Sequence, residues 1–241
     1  MTIDKRQEGE VKLKAMDAHE TVREFYDQKA SEYDGHFLRR IDKAENAWTF
    51  SRIDRMLGRA DRVLDLGCGT GLLLEHIRIE DYTGIDISFE MIERAQRKFP
   101  HRSFDFQVSD VMEYIAPRGH YDAVLSTFGS LSYAVAGFDL LPGKIAAWLA
   151  PGGRIFLQFL GRKYQEREHH IAAAERLPIH PTTEMELRDL YGPYFRDLAV
   201  IGLNRWGDTI PYRWYLELES MTIGQGDPDG SYFLVLTGRR R

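Results

Sequence analysis

Val63-Leu64-Asp65-Leu66-Gly67-Cys68-Gly69-Thr70-Gly71-Leu72-Leu73-Leu74 reads as a buried strand, a glycine turn and the start of a helix. Val63, Leu64 and Leu66 form the short apolar run that a parallel strand covered on both faces requires. Gly67, Gly69 and Gly71 permit a tight turn, and they let a ligand approach the backbone without meeting a Cβ. Leu72, Leu73, Leu74 and Ile77 are spaced to face a sheet from a helix. Strand, turn and helix together predict a nucleotide-type cradle at the carboxyl edge of a parallel sheet.

Two kinds of ligand compete for such a turn. The dinucleotide fingerprint places its third glycine five positions after the first. That position is Leu72; the third glycine here is Gly71, and an acid, Asp65, stands two residues before the first. The next strand, Tyr82-Thr83-Gly84-Ile85-Asp86, also ends in a carboxylate. Asp86 lies roughly 20 residues beyond Gly67, the spacing at which an acid meets ribose hydroxyls. The glycine pattern with Asp65 resembles motif I of the class I S-adenosylmethionine-dependent methyltransferases, and Gly84-Ile85-Asp86-Ile87-Ser88 with Met91 resembles motif II. The resemblance implies S-adenosyl-L-methionine as cofactor, with Asp65, Gly67, Cys68, Gly69, Asp86, Ile87 and Met91 as candidate contacts. A nicotinamide-binding βαβ unit and a bare one without ligand are the competing readings.

Downstream strands extend the resemblance. Phe104-Asp105-Phe106-Gln107-Val108 alternates as a strand and runs into Ser109-Asp110-Val111-Met112. In the family, the acid at this strand end takes the adenine amino group, and the following backbone meets the ring. Asp110, Val111 and Met112 match those positions. A carboxylate accepts what an amino group donates; the bland alternative is that Asp110 caps a helix over Val111–Ile115. Tyr121 to Ser126 reads as the fourth strand, and Ser126 joins the cofactor candidates. Ser126-Thr127-Phe128 replaces the Asn/Asp-Pro-Pro-Tyr/Phe of the family's amino-adenine and glutamine methylating branch, and so argues against that branch. A helix over Leu140–Leu149, the turn Pro151-Gly152-Gly153 and a fifth strand, Arg154 to Phe159, follow.

Upstream, residues 1–18 are polar and expected to be flexible. From His19 to Leu57 the apolar spacing is helical, with Val22, Phe25, Tyr26 and Lys29 on one face. The run from Phe25 to Asp34 resembles the amino-terminal cap of small-molecule methyltransferases. That implies Tyr26 and Tyr33 over the methionine end of the cofactor; plain packing of the cap is the alternative.

The carboxyl-terminal third is less patterned. Gly161–Pro181 is charged and carries His169, His170 and His180. Thr183 is placed to cap a helix through Leu190, and Tyr194–Leu203 and Ser231–Thr237 read as two last strands in an antiparallel hairpin. Between them lie Trp206, Tyr212, Trp214 and Tyr215, with a further strand expected over Tyr212–Glu219. A hydroxyl acceptor benefits from a base, for which His169 and His170 are the candidates, with Tyr133 as an orienting hydroxyl. The two histidines are adjacent and point apart on any regular element, which makes a poor chelate, so no metal site is expected.

Composition bounds the rest. A chain of 241 residues, 43% hydrophobic and 29% charged, suits one α/β domain with additions. The expected division is a single domain over 19–241, with a cap at 19–58 and insertions at 161–182 and 204–229. Net charge is −5 and no basic stripe appears, which counts against a nucleic-acid partner. One cysteine, Cys68, excludes an internal disulfide and fits a reducing, cytoplasmic setting. The charged start does not read as a signal peptide, and no apolar run approaches the ~20 residues that span a bilayer. The expectation is a doubly wound, mostly parallel seven-stranded α/β sheet, Rossmann-like, with an amino-terminal helical cap. Its implied function is methyl transfer to a small-molecule acceptor at O or N. A protein or RNA methyltransferase, and a non-catalytic binding protein, are the alternatives.

Overall fold

The computed structural model describes residues 18–36, 40–166, 177–204 and 227–241. Helix α1 covers 18–29, α2 is the single turn Tyr33–His36 and α3 is Arg40–Met56. Then come β1 (Arg62–Leu66), β2 (Asp81–Asp86), α4 (Phe89–Lys98), β3 (Asp105–Val108) and β4 (Tyr121–Ser126). The remaining described elements are α5 (Leu141–Trp148), β5 (Leu149–Leu160), α6 (Glu184–Tyr191), β6 (Phe195–Leu203) and β7 (Phe233–Arg240).

The strands form one sheet in the order β3-β2-β1-β4-β5-β7-β6. The first five run parallel to one another, and β7 pairs antiparallel with both β5 and β6. This is the doubly wound arrangement expected, with the antiparallel hairpin at one edge. The strand order reverses at β1, between β2 and β4, so a crevice opens beyond the carboxyl ends of those strands.

Alternation along the strands builds the two halves of the core. Leu64 and Leu66 of β1, Val124 of β4 and Ile155 and Leu157 of β5 share one apolar cluster with Ile145 and Trp148 of α5 and Tyr191 of α6. Val63, Ala123, Leu125 and Phe156 fall on the opposite face with Phe50 and Ile53 of α3. β1 is therefore buried along almost its whole length, which its apolar run required.

Two local expectations are corrected and one alternative falls away. Leu72–Glu75 is one 3-10 turn rather than a helix. Gly71 precedes it in the left-handed conformation (φ 74°), and β2 begins at Asp81, so no room remains for a longer helix. The leucines still pack inward: Leu73, Leu74 and Ile77 are buried with Phe50 and Ile53. No helix forms over 111–115 either. The amides of Glu113 and Tyr114 turn back onto the Asp110 carbonyl, and Pro117 stands where a helix would continue. Finally, β5 begins at Leu149, so Pro151–Gly153 lies within the strand at a register shift instead of ahead of it. The cap on α6 is as expected, with the Thr183 hydroxyl accepting from the Glu186 amide. The strand expected over 212–219 lies outside the described residues.

Among the described residues, no helix is long and apolar enough to cross a membrane.

Candidate functional site

Four strand ends converge on one cleft. Its walls come from the turn after β1 (Gly67, Gly69), the end of β2 (Asp86, Ile87), the segment after β3 (Ser109 to Val111) and the segment after β4 (Phe128 to Ala134). Helix α1 and α2 close it from above with His19, Val22, Tyr26 and Tyr33. The cleft holds about 760 Å³, counting space open to solvent. That lies in the range of small-ligand sites.

The floor is set by the glycine turn. Gly67 and Cys68 both donate to the Ile85 carbonyl of β2, at 2.8 and 3.0 Å, which folds the turn down onto the neighbouring strand. Gly67 and Gly69 have φ of 72° and 54°, where glycine is favoured. A Cβ on Gly67 would strike Ser130, whereas one on Gly69 would meet nothing closer than the Tyr33 ring at 3.7 Å. Gly69 thus leaves bare backbone facing the cleft.

Asp86 stands beside it. Its Oδ2 accepts from the Gly69 amide and its Oδ1 from the Ser88 amide, both at 2.9 Å. Burial pushes its carboxyl up to about 6 despite these two amides, and the nearby Asp27 adds to the rise. Across the cleft, Asp110 Oδ1 accepts from the Met112 amide at 2.7 Å, and Oδ2 meets His19 Nδ1 at 2.5 Å. Burial alone would raise the Asp110 carboxyl, but His19 and the Met112 amide together hold it below the usual range. The same bond raises the His19 imidazole.

Tyr26, Tyr33 and Tyr133 line the remaining end. Tyr26 sits edge-on to both others, with ring centroids 6.2 Å from Tyr33 and 5.7 Å from Tyr133. Burial raises all three phenols, so they are neutral hydrogen-bonding groups rather than bases at ordinary pH. The Tyr133 hydroxyl is bonded to those of Tyr26 and Tyr164. The cap that carries Tyr26 and Tyr33 is tied to the cleft's own walls. Asp27 accepts from the Ser88 hydroxyl at 2.6 Å and the Glu90 amide at 3.2 Å, and Asp34 takes the Thr70 hydroxyl and the Lys98 ammonium.

Ten of the residues singled out from sequence meet at this cleft: Tyr26, Tyr33, Gly67, Gly69, Asp86, Ile87, Met91, Asp110, Val111 and Tyr133. Four others do not line it. Asp65 is buried behind the floor, where Oδ2 accepts from the Tyr82 hydroxyl at 2.8 Å and Oδ1 has no partner. Burial pushes that carboxyl up to about 6. Cys68 packs on the far side of the turn, its Sγ within 2.8 Å of where a Cβ on Gly84 would lie, and burial raises its thiol well above normal. Ser126 is fully buried and donates to the Leu66 carbonyl at 2.9 Å, bracing β4 to β1. Met112 contributes its amide to Asp110 instead of a wall. His169 and His170 lie outside the described residues. His180, from the same stretch, bonds Glu186 at 2.8 Å and stacks on Phe138, away from the cleft.

Sequence reading missed His19, Phe128 and Ser130. Helical spacing held the signal for His19, since His19, Val22 and Tyr26 recur at i, i+3 and i+7 on α1. Phe128 carried none: its φ of 58° is unusual for a residue with a side chain, and its amide donates to Gln158 Oε1 at 3.1 Å.

The His19–Asp110 pair makes stability depend on pH. The raised histidine stabilises the fold fully below its ordinary value of about 6.5 and loses that contribution as pH rises through its folded value. The lowered carboxyl contributes above about 3.9 and loses its contribution as pH falls through its folded value. Glu113 also raises the histidine and Lys144 also lowers the carboxyl, so each favours the charged form of the group it faces. Thermal melts of the wild type and Asp110→Ala should therefore differ most between about pH 4 and 6.5 and differ less on the alkaline side, where only the Met112 amide and Lys144 still favour the carboxylate. A difference constant from pH 4 to 9 would mean that the pair is not coupled.

Residues 63–153 match the family model for a methyltransferase domain. Trans-aconitate 2-methyltransferase of Paracidovorax citrulli is 32% identical over 117 residues, covering 47% of this chain and 44% of the relative. The chain spans less than half the length of the curated relatives it matches. A possible histamine N-methyltransferase from Thermotoga maritima superposes with a TM-score of 0.66 at 15% identity, over 90% of this chain and 98% of that one. NodS, an N-methyltransferase of Bradyrhizobium japonicum in complex with S-adenosyl-L-homocysteine, gives 0.64 at 13% identity, over 90% and 97%. At such identities the likeness is one of fold.

Proposed function

From the match of residues 63–153 to the family model for a methyltransferase domain, we propose that the protein transfers a methyl group from S-adenosyl-L-methionine to a small-molecule acceptor. The observation that carries the proposal is the meeting, in one cleft, of the bare Gly69 backbone, the amide-held Asp86 and the acceptor-only carboxylate of Asp110. These are the groups a ribosyl adenine with an amino-acid tail requires.

The residues fit the cofactor part by part. Asp86 accepts from the two ribose hydroxyls. Asp110 accepts from the adenine amino group, with Val22, Ile87 and Val111 against the ring. The Gly67–Gly69 turn and Tyr33 hold the methionine end. The cofactor supplies a methyl group already activated on a sulfonium. What remains for the protein is alignment and exclusion of water, which the tyrosine-lined end of the cleft provides. Tyr133, its hydroxyl fixed by Tyr26 and Tyr164, orients the acceptor there. An acceptor that must lose a proton takes its base from His169 or His170. The acidic net charge and the small cleft favour a metabolite over a nucleic acid.

Binding is tested first, by titration calorimetry with S-adenosylhomocysteine and with NAD, and transfer second, with radiolabelled cofactor and a panel of hydroxyl, carboxyl and amine metabolites. S-adenosylhomocysteine binding without NAD binding is the expected result; the reverse would end the reading. Once an acceptor is found, a fall of about 10²–10⁴ in turnover for His169→Ala or His170→Ala at unchanged cofactor affinity identifies the base.

A further inference from the structure

We propose that His19 sets the base selectivity of the cleft: by holding the Asp110 carboxylate in place, it makes the site take a 6-amino purine and refuse a 6-oxo one. The inference rests on the reading of the cleft as an S-adenosylmethionine site, and it adds a residue from outside the methyltransferase-domain match, which begins at residue 63.

The geometry is specific. His19 is in the first turn of α1, and its Nδ1 lies 2.5 Å from Asp110 Oδ2. Both side chains line the cleft, and both are largely covered, at 25% and 12% exposure. The other carboxylate oxygen is held by the Met112 amide at 2.7 Å. Each oxygen thus has one bond to the protein and one direction left. Two donors pulling from opposite oxygens fix the plane of the carboxylate.

Chemistry turns that placement into selectivity. An ionised carboxylate only accepts hydrogen bonds. It pairs with an exocyclic amino group, and it repels a carbonyl oxygen at the same ring position. Without His19, one oxygen of the Asp110 carboxylate loses its anchor, and only the Met112 amide and the Lys144 charge still oppose burial, which favours the protonated form. A protonated carboxyl donates as well as accepts, so it tolerates the carbonyl. Removing His19 therefore weakens the correct base and admits the wrong one, whereas loss of a mere packing contact weakens both alike.

α1 is well suited to carry such a residue. Its rotation is fixed by Asp27, which accepts from Ser88 and Glu90 at the start of α4. That places His19 at the base edge, Val22 one turn along, and Tyr26 at the far end of the cleft.

The probes are S-adenosyl-L-homocysteine and S-inosyl-L-homocysteine, which differ at purine position 6, amino against carbonyl, and in the proton that the 6-oxo ring carries on N1. Calorimetric Kd values are measured for the full-length wild type, His19→Ala and His19→Asn, with thermal melts of each. The asparagine amide nitrogen falls near the position of Nδ1, so it restores the bond without the ring. In His19→Ala, the preference for the adenosyl compound should fall about tenfold, through weaker adenosyl binding and unchanged or tighter inosyl binding. His19→Asn should recover most of the preference. An equal loss of both ligands in His19→Ala would overturn the proposal and leave His19 as a latch for the cap. A wild type that binds neither compound would instead overturn the methyltransferase reading itself.

Discussion

Asp86→Ala is expected to weaken S-adenosylhomocysteine binding by about tenfold to a hundredfold, since charge-assisted hydrogen bonds are worth roughly 1.5–3 kcal/mol. The carboxylate is prepared for this role before any ligand arrives. The Gly69 and Ser88 amides, each 2.9 Å from one of its oxygens, orient it and leave its outward lone pairs facing the cleft. Preparation has a cost. Burial raises the carboxyl to about 6, so the free folded protein binds this proton more readily than the unfolded chain does. The sign follows: the ionised side chain lowers stability progressively as pH rises from about 4 through about 6. For binding the direction reverses, because the protonated carboxyl has lost acceptor capacity. Wild-type affinity should therefore fall as pH drops through about 6, and Asp86→Asn should bind weakly at both pH 5 and pH 7.5 with little change between them. Calorimetry at those two values decides the matter. An Asp86→Ala variant with wild-type affinity would remove the ribose contact from the account.

The parts of this site that were legible in sequence are those fixed by local chemistry. A turn that needs three glycines and an acid at a strand end both appear as residue types at a spacing, and Gly67, Gly69, Asp86 and Asp110 all line the cleft. The side of the backbone a residue faces is harder to read. Asp65 and Cys68 belong to the same motif as Gly67 and Gly69, yet they pack behind the floor with Tyr82. Ser126 ends β4 beside the cleft, but its hydroxyl turns to the Leu66 carbonyl. Strand alternation would have assigned Asp65 to the Val63 face, away from Leu64 and Leu66, had it been followed through the motif. Contacts made across the chain carried less signal still. His19 is far from Asp110 in sequence, and only the docking of α1 brings them together. The run of leucines after Gly71 marked burial correctly and the element wrongly, because hydrophobicity reports the facing surface while the left-handed glycine and the short span to β2 limit the helix.

Gly67 and Gly69, two residues apart in one turn, should fail in different ways. On Gly67 a Cβ would lie 2.4 Å from Ser130 Cβ and 2.7 Å from its Oγ. No rotamer relieves a clash between two Cβ atoms, so the turn after β4 must move. The left-handed φ of 72° adds about 1–2 kcal/mol for any side chain. Gly67→Ala should therefore lose about 2–4 kcal/mol of stability, a drop of roughly 5–15 °C in Tm for a chain of this size. Ser130→Gly in the same chain removes the atoms that are struck and should restore part of the loss, leaving the backbone term. Gly69 is different. Its φ of 54° also disfavours a side chain, but a Cβ there enters open space, with Tyr33 at 3.7 Å and Met91 Sδ at 4.0 Å. Gly69→Ala should cost only the backbone term of about 1–2 kcal/mol, and no change at Ser130 should rescue it. Its main effect should be on ligand binding, because the methyl occupies the surface where a ligand would approach the bare backbone. Melting curves and S-adenosylhomocysteine titrations of the three variants separate the two cases. If Gly69→Ala binds as tightly as the wild type, the glycine turn shapes the chain without touching the cofactor, and the ligand must then be held by Asp86, Asp110 and the side chains that line the cleft around them.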